Sequence, residues 1–207
     1  MTFFDEMSAP EAPVLPRVLA EGRYVVLDIE ATGLSRAHDE TVQVAFGHVD
    51  GGVVGLRGFY WVRPACAISR GAANVHGFTS EGLRWSPPFA RVAQELLAII
   101  GDRIVLGHGV KQFDVPMLAR QFGECGLEWR PRMLDTVLWS RRLVKDGRHS
   151  LGVMAERFGI VTVSAHDAWH DCRMTWNVFG QLAFRFPELG ALSPDDASEL
   201  YTPKETK

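Results

Sequence analysis

Asp28 and Glu30 stand in the run Tyr24-Val25-Val26-Leu27-Asp28-Ile29-Glu30-Ala31-Thr32-Gly33-Leu34. Tyr24 to Leu27 is apolar and rich in β-branched residues, so the run reads as a buried strand. Such a strand is a poor place for carboxylates, because taking an unpaired charge out of water is costly. Side chains alternate along a strand, so Asp28 and Glu30 project from one face about 7 Å apart along the backbone. Two like charges at the end of a core strand call for a cation. The plainer alternative is a strand end carrying two solvated acids.

Three other segments have the residue types to complete such a centre: Gly107-His108-Gly109-Val110-Lys111-Gln112-Phe113-Asp114, Met133-Leu134-Asp135-Thr136, and Ala165-His166-Asp167-Ala168-Trp169-His170-Asp171-Cys172. In order, the chain offers Asp28-x-Glu30-x-Thr32-Gly33, then Val75-His76-Gly77-Phe78-Thr79, then His108-Gly109-x3-Phe113-Asp114, then His166-x4-Asp171. From about Tyr24 to Phe184 it resembles the DEDDh family of 3′→5′ exonucleases, which includes the proofreading epsilon subunit of bacterial DNA polymerase III, RNase T and oligoribonuclease. The resemblance implies that Asp28, Glu30, Asp114 and Asp171 hold two divalent ions, Mg²⁺ or Mn²⁺, with Asp28 as the bridge. It implies that His166 takes the proton from the attacking water. It also implies a pocket for the terminal nucleotide made by Ala31, Thr32, Gly33, Leu34 and His76, with Phe113 able to stack on a base. For His76 a structural turn histidine is an equal alternative, and for Phe113 core packing is the default. The chain departs from the family pattern at Gly109 (usually asparagine), Asp167 (usually arginine) and Cys172 (usually alanine). None of these removes a ligand or the base.

The implied activity is removal of nucleoside monophosphates from the free 3′ end of nucleic acid, single-stranded or frayed, with DNA favoured and a polymerase or repair complex as a possible partner. Two alternatives remain open at this point. One is a 3′→5′ exoribonuclease of the RNase T or oligoribonuclease type; the other is a non-catalytic binding module, which a degraded ligand set would mark. A third pattern, His166-Asp167-Ala168-Trp169-His170, imitates the zinc-protease helix His-Glu-x-x-His. It lacks the glutamate base and leaves Asp28, Glu30 and Asp114 unexplained.

Positioning these groups makes demands on the elements. Five helical steps separate His166 and Asp171 by about 140°, so both cannot face one centre from one regular helix. His166 is therefore expected in the loop before a closing helix over 167–184, and Asp171 in that helix's first turns. Strands are expected at 24–30, 41–49, 53–62 and 103–106, with a hairpin turn at Gly51-Gly52 and a short strand near 132–134. Helices are expected at 87–100, 114–122, 136–145 and 151–158, the last capped by Ser150 and with Asp135 read as a cap rather than a ligand. Three antiparallel strands followed by strands alternating with helices make an α/β sandwich, the order of a ribonuclease-H-like fold. Residues 1–20 read as an extended or mobile arm, 21–186 as the exonuclease domain, and 187–207 as an acidic, polar tail. Trp61, Trp85, Trp139 and Trp176 are expected in the core.

Composition sets outer limits. The 207 residues fit one domain. The three cysteines, Cys66, Cys125 and Cys172, are scattered; they suggest neither a disulfide framework nor a zinc knuckle, and reduced thiols fit a cytoplasmic protein. No apolar run reaches membrane-spanning length. The net charge of −3 is unevenly placed. The first 22 residues set Arg17 against Asp5, Glu6, Glu11 and Glu21, net −3. Residues 186–207 set Lys204 and Lys207 against Glu188, Asp195, Asp196, Glu199 and Glu205, also net −3. The body between them holds 19 basic and 16 acidic residues, net +3, as a phosphate-binding surface would. Its basic concentration from Arg130 to Arg148 reads equally well as a solvated helix face.

Overall fold

The computed structural model describes residues 15–161 and 168–199. Its centre is a five-stranded sheet in the order β3-β2-β1-β4-β5. The strands are β1 (Arg23–Ala31), β2 (Thr41–Asp50), β3 (Val53–Trp61), β4 (Ile104–Gly107) and β5 (Met133–Asp135). β1, β2 and β3 pair antiparallel, while β4 joins β1 in parallel and β5 joins β4 in parallel. The β2–β3 hairpin closes through Gly51 and Gly52 at φ 55° and 83°, the left-handed pair that a two-residue turn requires.

Strand alternation divides the core into two layers. Val25, Leu27 and Ile29 face α3 (Phe89–Ile100) and α4 (Asp114–Glu124), with Val92, Leu96, Ile100, Met117 and Phe122 buried there. Tyr24 and Val26 face α7 (Ala168–Arg185), α5 (Thr136–Leu143) and α6 (Leu151–Arg157), with Trp139, Met154, Val178 and Phe179 buried there. Asp28 and Glu30 continue this second face. They follow Val26 at the point where α7 begins.

Several expectations need correction. Residues 17–20 are not part of an arm: α1 (Arg17–Ala20) buries Val18 and Leu19. Residues 187–199 are not a loose tail: α8 (Pro187–Gly190) and α9 (Pro194–Glu199) bury Leu189 and Ala197, and Arg132 pairs with Asp195. Those residues look polar in sequence because each short helix contributes only one or two apolar contacts. α2 (Arg70–His76) also escaped the sequence reading, since none of its residues is buried and it carries no apolar stripe. Ser150 occupies the N-cap position of α6 but its side chain makes no capping bond. Trp139 is in the core, whereas Trp61 and Trp85 are 50% and 84% exposed. Among the described residues no helix is long and apolar enough to cross a membrane.

Candidate active site

Three elements deliver the carboxylates. β1 supplies Asp28 and Glu30 from its last residues. β4 runs beside Tyr24–Val26, so the loop that follows it opens next to Asp28. That loop is tightly held. A side chain at Gly107 would place its Cβ 2.5 Å from that of Val110, and Gly109 has φ 89°. Buried Asp135 accepts from the backbone N–H of Gly109 (3.0 Å), Lys111 (3.1 Å) and Val137 (2.9 Å). It is therefore the cap of α5, as expected, and also the tie that fixes the β4 loop. The loop ends at Asp114, the first residue of α4, whose Oδ1 accepts from Ile29 N–H at 3.2 Å. The third element, α7, lies across the sheet through the Tyr24–Phe179 edge contact, with ring centroids 5.5 Å apart. This presents Asp171 in the first turn of the helix.

Asp28, Glu30 and Asp171 each offer a carboxylate oxygen within 4.8 Å of the others. Asp114 is not part of that triplet, being turned onto β1 by its bond to Ile29, but it acts electrostatically on Asp28. Burial drives the Asp28 carboxyl well above the ordinary range, and the charges of Asp114, Asp171 and Glu30 push the same way. Burial also raises Asp114, to about 7, against its backbone hydrogen bonds. Four acids whose mutual repulsion is relieved by protonation are equally relieved by a cation. All the donors are hard oxygens, which fits divalent ions bound through carboxylates.

The expected general base, His166, lies outside the described residues, as does Asp167. The zinc-protease imitation loses ground from its other end: Asp171 converges on carboxylates, and among the described residues the metal-capable triplet contains no histidine.

The expected nucleotide pocket divides. Leu34 is 89% exposed and available for apolar contact. Gly33 needs its missing side chain, since a Cβ there would sit 2.5 Å from Asp39 Oδ2. Thr32 is buried and engaged inward. Its hydroxyl donates to Asp39 at 2.8 Å and accepts from Glu40 N–H at 3.0 Å, while its own N–H donates to Glu40 O at 2.8 Å. Thr32 thus shapes the loop and is not itself a contact surface. Ala31 is buried, and its carbonyl accepts from His76 Nε2 at 3.1 Å; His76 Nδ1 accepts from Phe78 N–H at 3.0 Å. With both ring nitrogens engaged, His76 ties α2 to the end of β1. Phe113 packs against the α3–α4 core, so the default for an aromatic holds there.

Sequence reasoning missed Gln43. It lies on β2 opposite Glu30 of β1, is buried, and its Oε1 has no hydrogen-bond partner among the described residues. One signal was available: a glutamine between Val42 and Val44 in a mainly apolar strand.

Comparison with known proteins agrees with this geometry. The chain belongs to the exonuclease family, whose sequence model matches residues 25–179. It is 30% identical over 174 residues to the DNA polymerase III subunit epsilon of Aquifex aeolicus, covering 83% of this chain and 86% of that one. It is also 30% identical over 171 residues to the PolC-type DNA polymerase III of Streptococcus suis, covering 82% of this chain but only 11% of that protein; for the Thermotoga maritima counterpart the share is 13%. Among solved structures, E. coli exonuclease I in complex with a dT13 oligonucleotide superposes with a TM-score of 0.73 at 20% identity, over 81% of this chain and 42% of that one. Exonuclease X in complex with 5′ overhanging duplex DNA gives 0.67 at 19% identity, over 84% and 99%. The expected ribonuclease-H-like fold and the similarity to epsilon-type 3′→5′ exonucleases therefore stand.

Proposed function

We propose that this exonuclease removes nucleoside monophosphates from the 3′ end of single-stranded or frayed DNA, using two divalent ions, Mg²⁺ or Mn²⁺, held by Asp28, Glu30, Asp114 and Asp171. The observation that carries the reading is the convergence of Asp28, Glu30 and Asp171 within 4.8 Å at the end of a core strand. DNA is preferred over RNA because the relatives are DNA polymerase III proteins and the solved neighbours carry DNA. Since the domain is a small part of the PolC-type relatives, work beside a polymerase or within a repair complex belongs to the same proposal.

The residues divide the work. Bound ions would activate water and neutralise charge on the attacking and leaving oxygens. Asp28, close to Glu30 and Asp171 and acted on by the charge of Asp114, is the natural shared ligand. His166 accepts the proton of the attacking water; an ordinary histidine, titrating near 6.5, is neutral and basic at working pH. Leu34, exposed beside the site, packs against the terminal base. Asp135 and His76 keep the β4 loop and α2 in place.

A 5′-labelled single strand of DNA tests this directly. With Mg²⁺ it should shorten stepwise from the 3′ end, with chelator it should persist, and an RNA strand of the same sequence should be degraded more slowly. Internal cuts, release from the 5′ end, or hydrolysis that survives chelation would reject the reading. Faster loss of RNA would move the assignment to the exoribonuclease alternative. E. coli exonuclease I has also been solved with zinc bound, so Zn²⁺ is included as a competitor and hydrolysis, not binding, is the readout.

A further inference from the structure

Two lines of residues cross the sheet at the level of the carboxylates. Glu30 pairs with Gln43 and Gln43 with Trp61; Asp28 pairs with Ala45 and Ala45 with Phe59. Directly paired residues on neighbouring strands project from the same face. Phe59 and Trp61 therefore share the face of the acids, two strand spacings or about 10 Å to the side. α7 packs over β1, β2 and β4 and leaves these two rings 48% and 50% exposed. Their centroids are 5.2 Å apart. Trp85, 84% exposed, joins them around one open cleft, brought alongside by the bond from Arg63 N–H to Pro87 O at 2.9 Å.

The charges beside these rings are arginines. The Arg84 guanidinium lies 5.2 Å over the Trp85 ring, and Arg63 donates to Arg84 O at 3.1 Å. Arg57 lies 5.7 Å over Trp169 on the same strand face. Arg84 also pairs with Glu81, both exposed, and such a pair is weak enough to yield to a phosphate. Exposed aromatic faces interleaved with arginines, on the same sheet face as a nuclease centre, match what single-stranded nucleic acid requires: π-faces for bases and cations for phosphates.

We propose that Phe59, Trp61 and Trp85 form a stacking platform for bases two or more nucleotides upstream of the 3′-terminal one, with Arg57, Arg63 and Arg84 meeting the phosphates. This rests on the exonuclease reading above. It adds a second binding region that holds a strand while its end is processed, and it makes affinity depend on strand length. A dinucleotide is too short to reach the platform; a 12-mer is not.

The test uses the full chain and the double variant Phe59→Ala/Trp61→Ala. Affinity for a fluorescent 12-mer is read by anisotropy in chelator, and kcat/KM is read on a dinucleotide with Mg²⁺. Each stacked base is worth about a 5- to 150-fold change in affinity, so 12-mer binding should weaken at least fivefold while dinucleotide hydrolysis stays at the parent value. Trp61→Phe should keep most of the 12-mer affinity. Arg57→Ala and Arg84→Ala should each lower the slope of log affinity against log salt by about 0.7. Unchanged 12-mer affinity in the double variant overturns the platform. So does an equal loss on both substrates, which would mean that the rings only support the fold of the site. A change from dimer to monomer with 12-mer affinity intact also overturns it and makes β3 an interface between copies. If the parent hydrolyses neither substrate yet the double variant still loses 12-mer affinity, the platform stands and the exonuclease reading fails.

Discussion

At Asp28 two demands conflict. The chain half-buries this carboxyl at the end of a core strand and sets three more acids against it, which holds its proton on well above the ordinary range. The arrangement is unfavourable in the metal-free protein and becomes favourable once a cation binds. Asp28→Ala or Asp171→Ala should therefore abolish hydrolysis without lowering the melting temperature of the metal-free protein, because each removes a repelling group. Retained hydrolysis in either variant would reject the shared metal site, and a collapsed far-ultraviolet spectrum would reject the claim that the acids are dispensable for folding. His166→Ala belongs at the same scale. It should leave metal binding intact and slow turnover by about 10²–10⁴; parent-like rates would show that another group takes the proton.

The elements position these residues through a few buried polar ties. Asp135 gathers three backbone N–H groups from two segments. Asp135→Ala should cost about 2–4 kcal/mol in chemical denaturation, since it removes a cap and strands buried donors together. A loss under 0.5 kcal/mol would mean that water replaces the carboxylate. His108 is a second tie on the same loop. Its Nε2 donates to His149 O at 2.8 Å and its Nδ1 meets Thr136 Oγ1 at 2.8 Å. Burial lowers its pKa below the ordinary value of 6.5. The neutral ring's contribution to stability is thus complete above the unfolded value and is lost as pH falls through the lowered folded value. Between pH 7.5 and 5 the parent should lose more stability than His108→Gln does; equal losses would mean that His108 is not held neutral by the fold. These ties were only half legible in sequence. Asp135 before Thr136 reads as a cap, but its two further bonds to the β4 loop join residues 24 and 26 positions apart.

Across the whole molecule, the proposed metal site links ion binding to folding. If ions bind the assembled carboxylates and not the unfolded chain, as proposed, divalent metal should raise the melting temperature. At free metal one hundred times the dissociation constant, one site contributes about 2.7 kcal/mol. The shift should vanish in Asp28→Ala, and a shift that persists there would place the ion elsewhere. Within residues 15–199 the first and last described segments pack into the core. α1 and α9 bury Val18, Leu19 and Ala197 in the layer that carries α7, so the segments first read as arm and tail help hold the helix that delivers Asp171.

What the sequence determined by itself was whatever is written locally and repeatedly. Alternation and β-branching marked the strands, Gly51-Gly52 marked the hairpin, and acids interrupting an apolar strand marked the centre, because the desolvation of a charge is a local cost that one strand already displays. The order of the motif blocks, compared with a known family, added Asp114 and Asp171 before any distance was known. Tertiary structure decided the rest. It turned Thr32 and His76 inward, set Asp114 against Ile29 and outside the closest triplet, and packed the polar-looking ends. It also left Trp61 and Trp85 in solvent, although an isolated tryptophan is most simply assigned to the core. Whether an aromatic ring is buried depends on what covers its face of the sheet. α7 covers β1 and β2 and meets β3 at Arg57 through Trp169, leaving Phe59 and Trp61 half exposed, and nothing within β3 itself records where a helix more than a hundred residues later will lie.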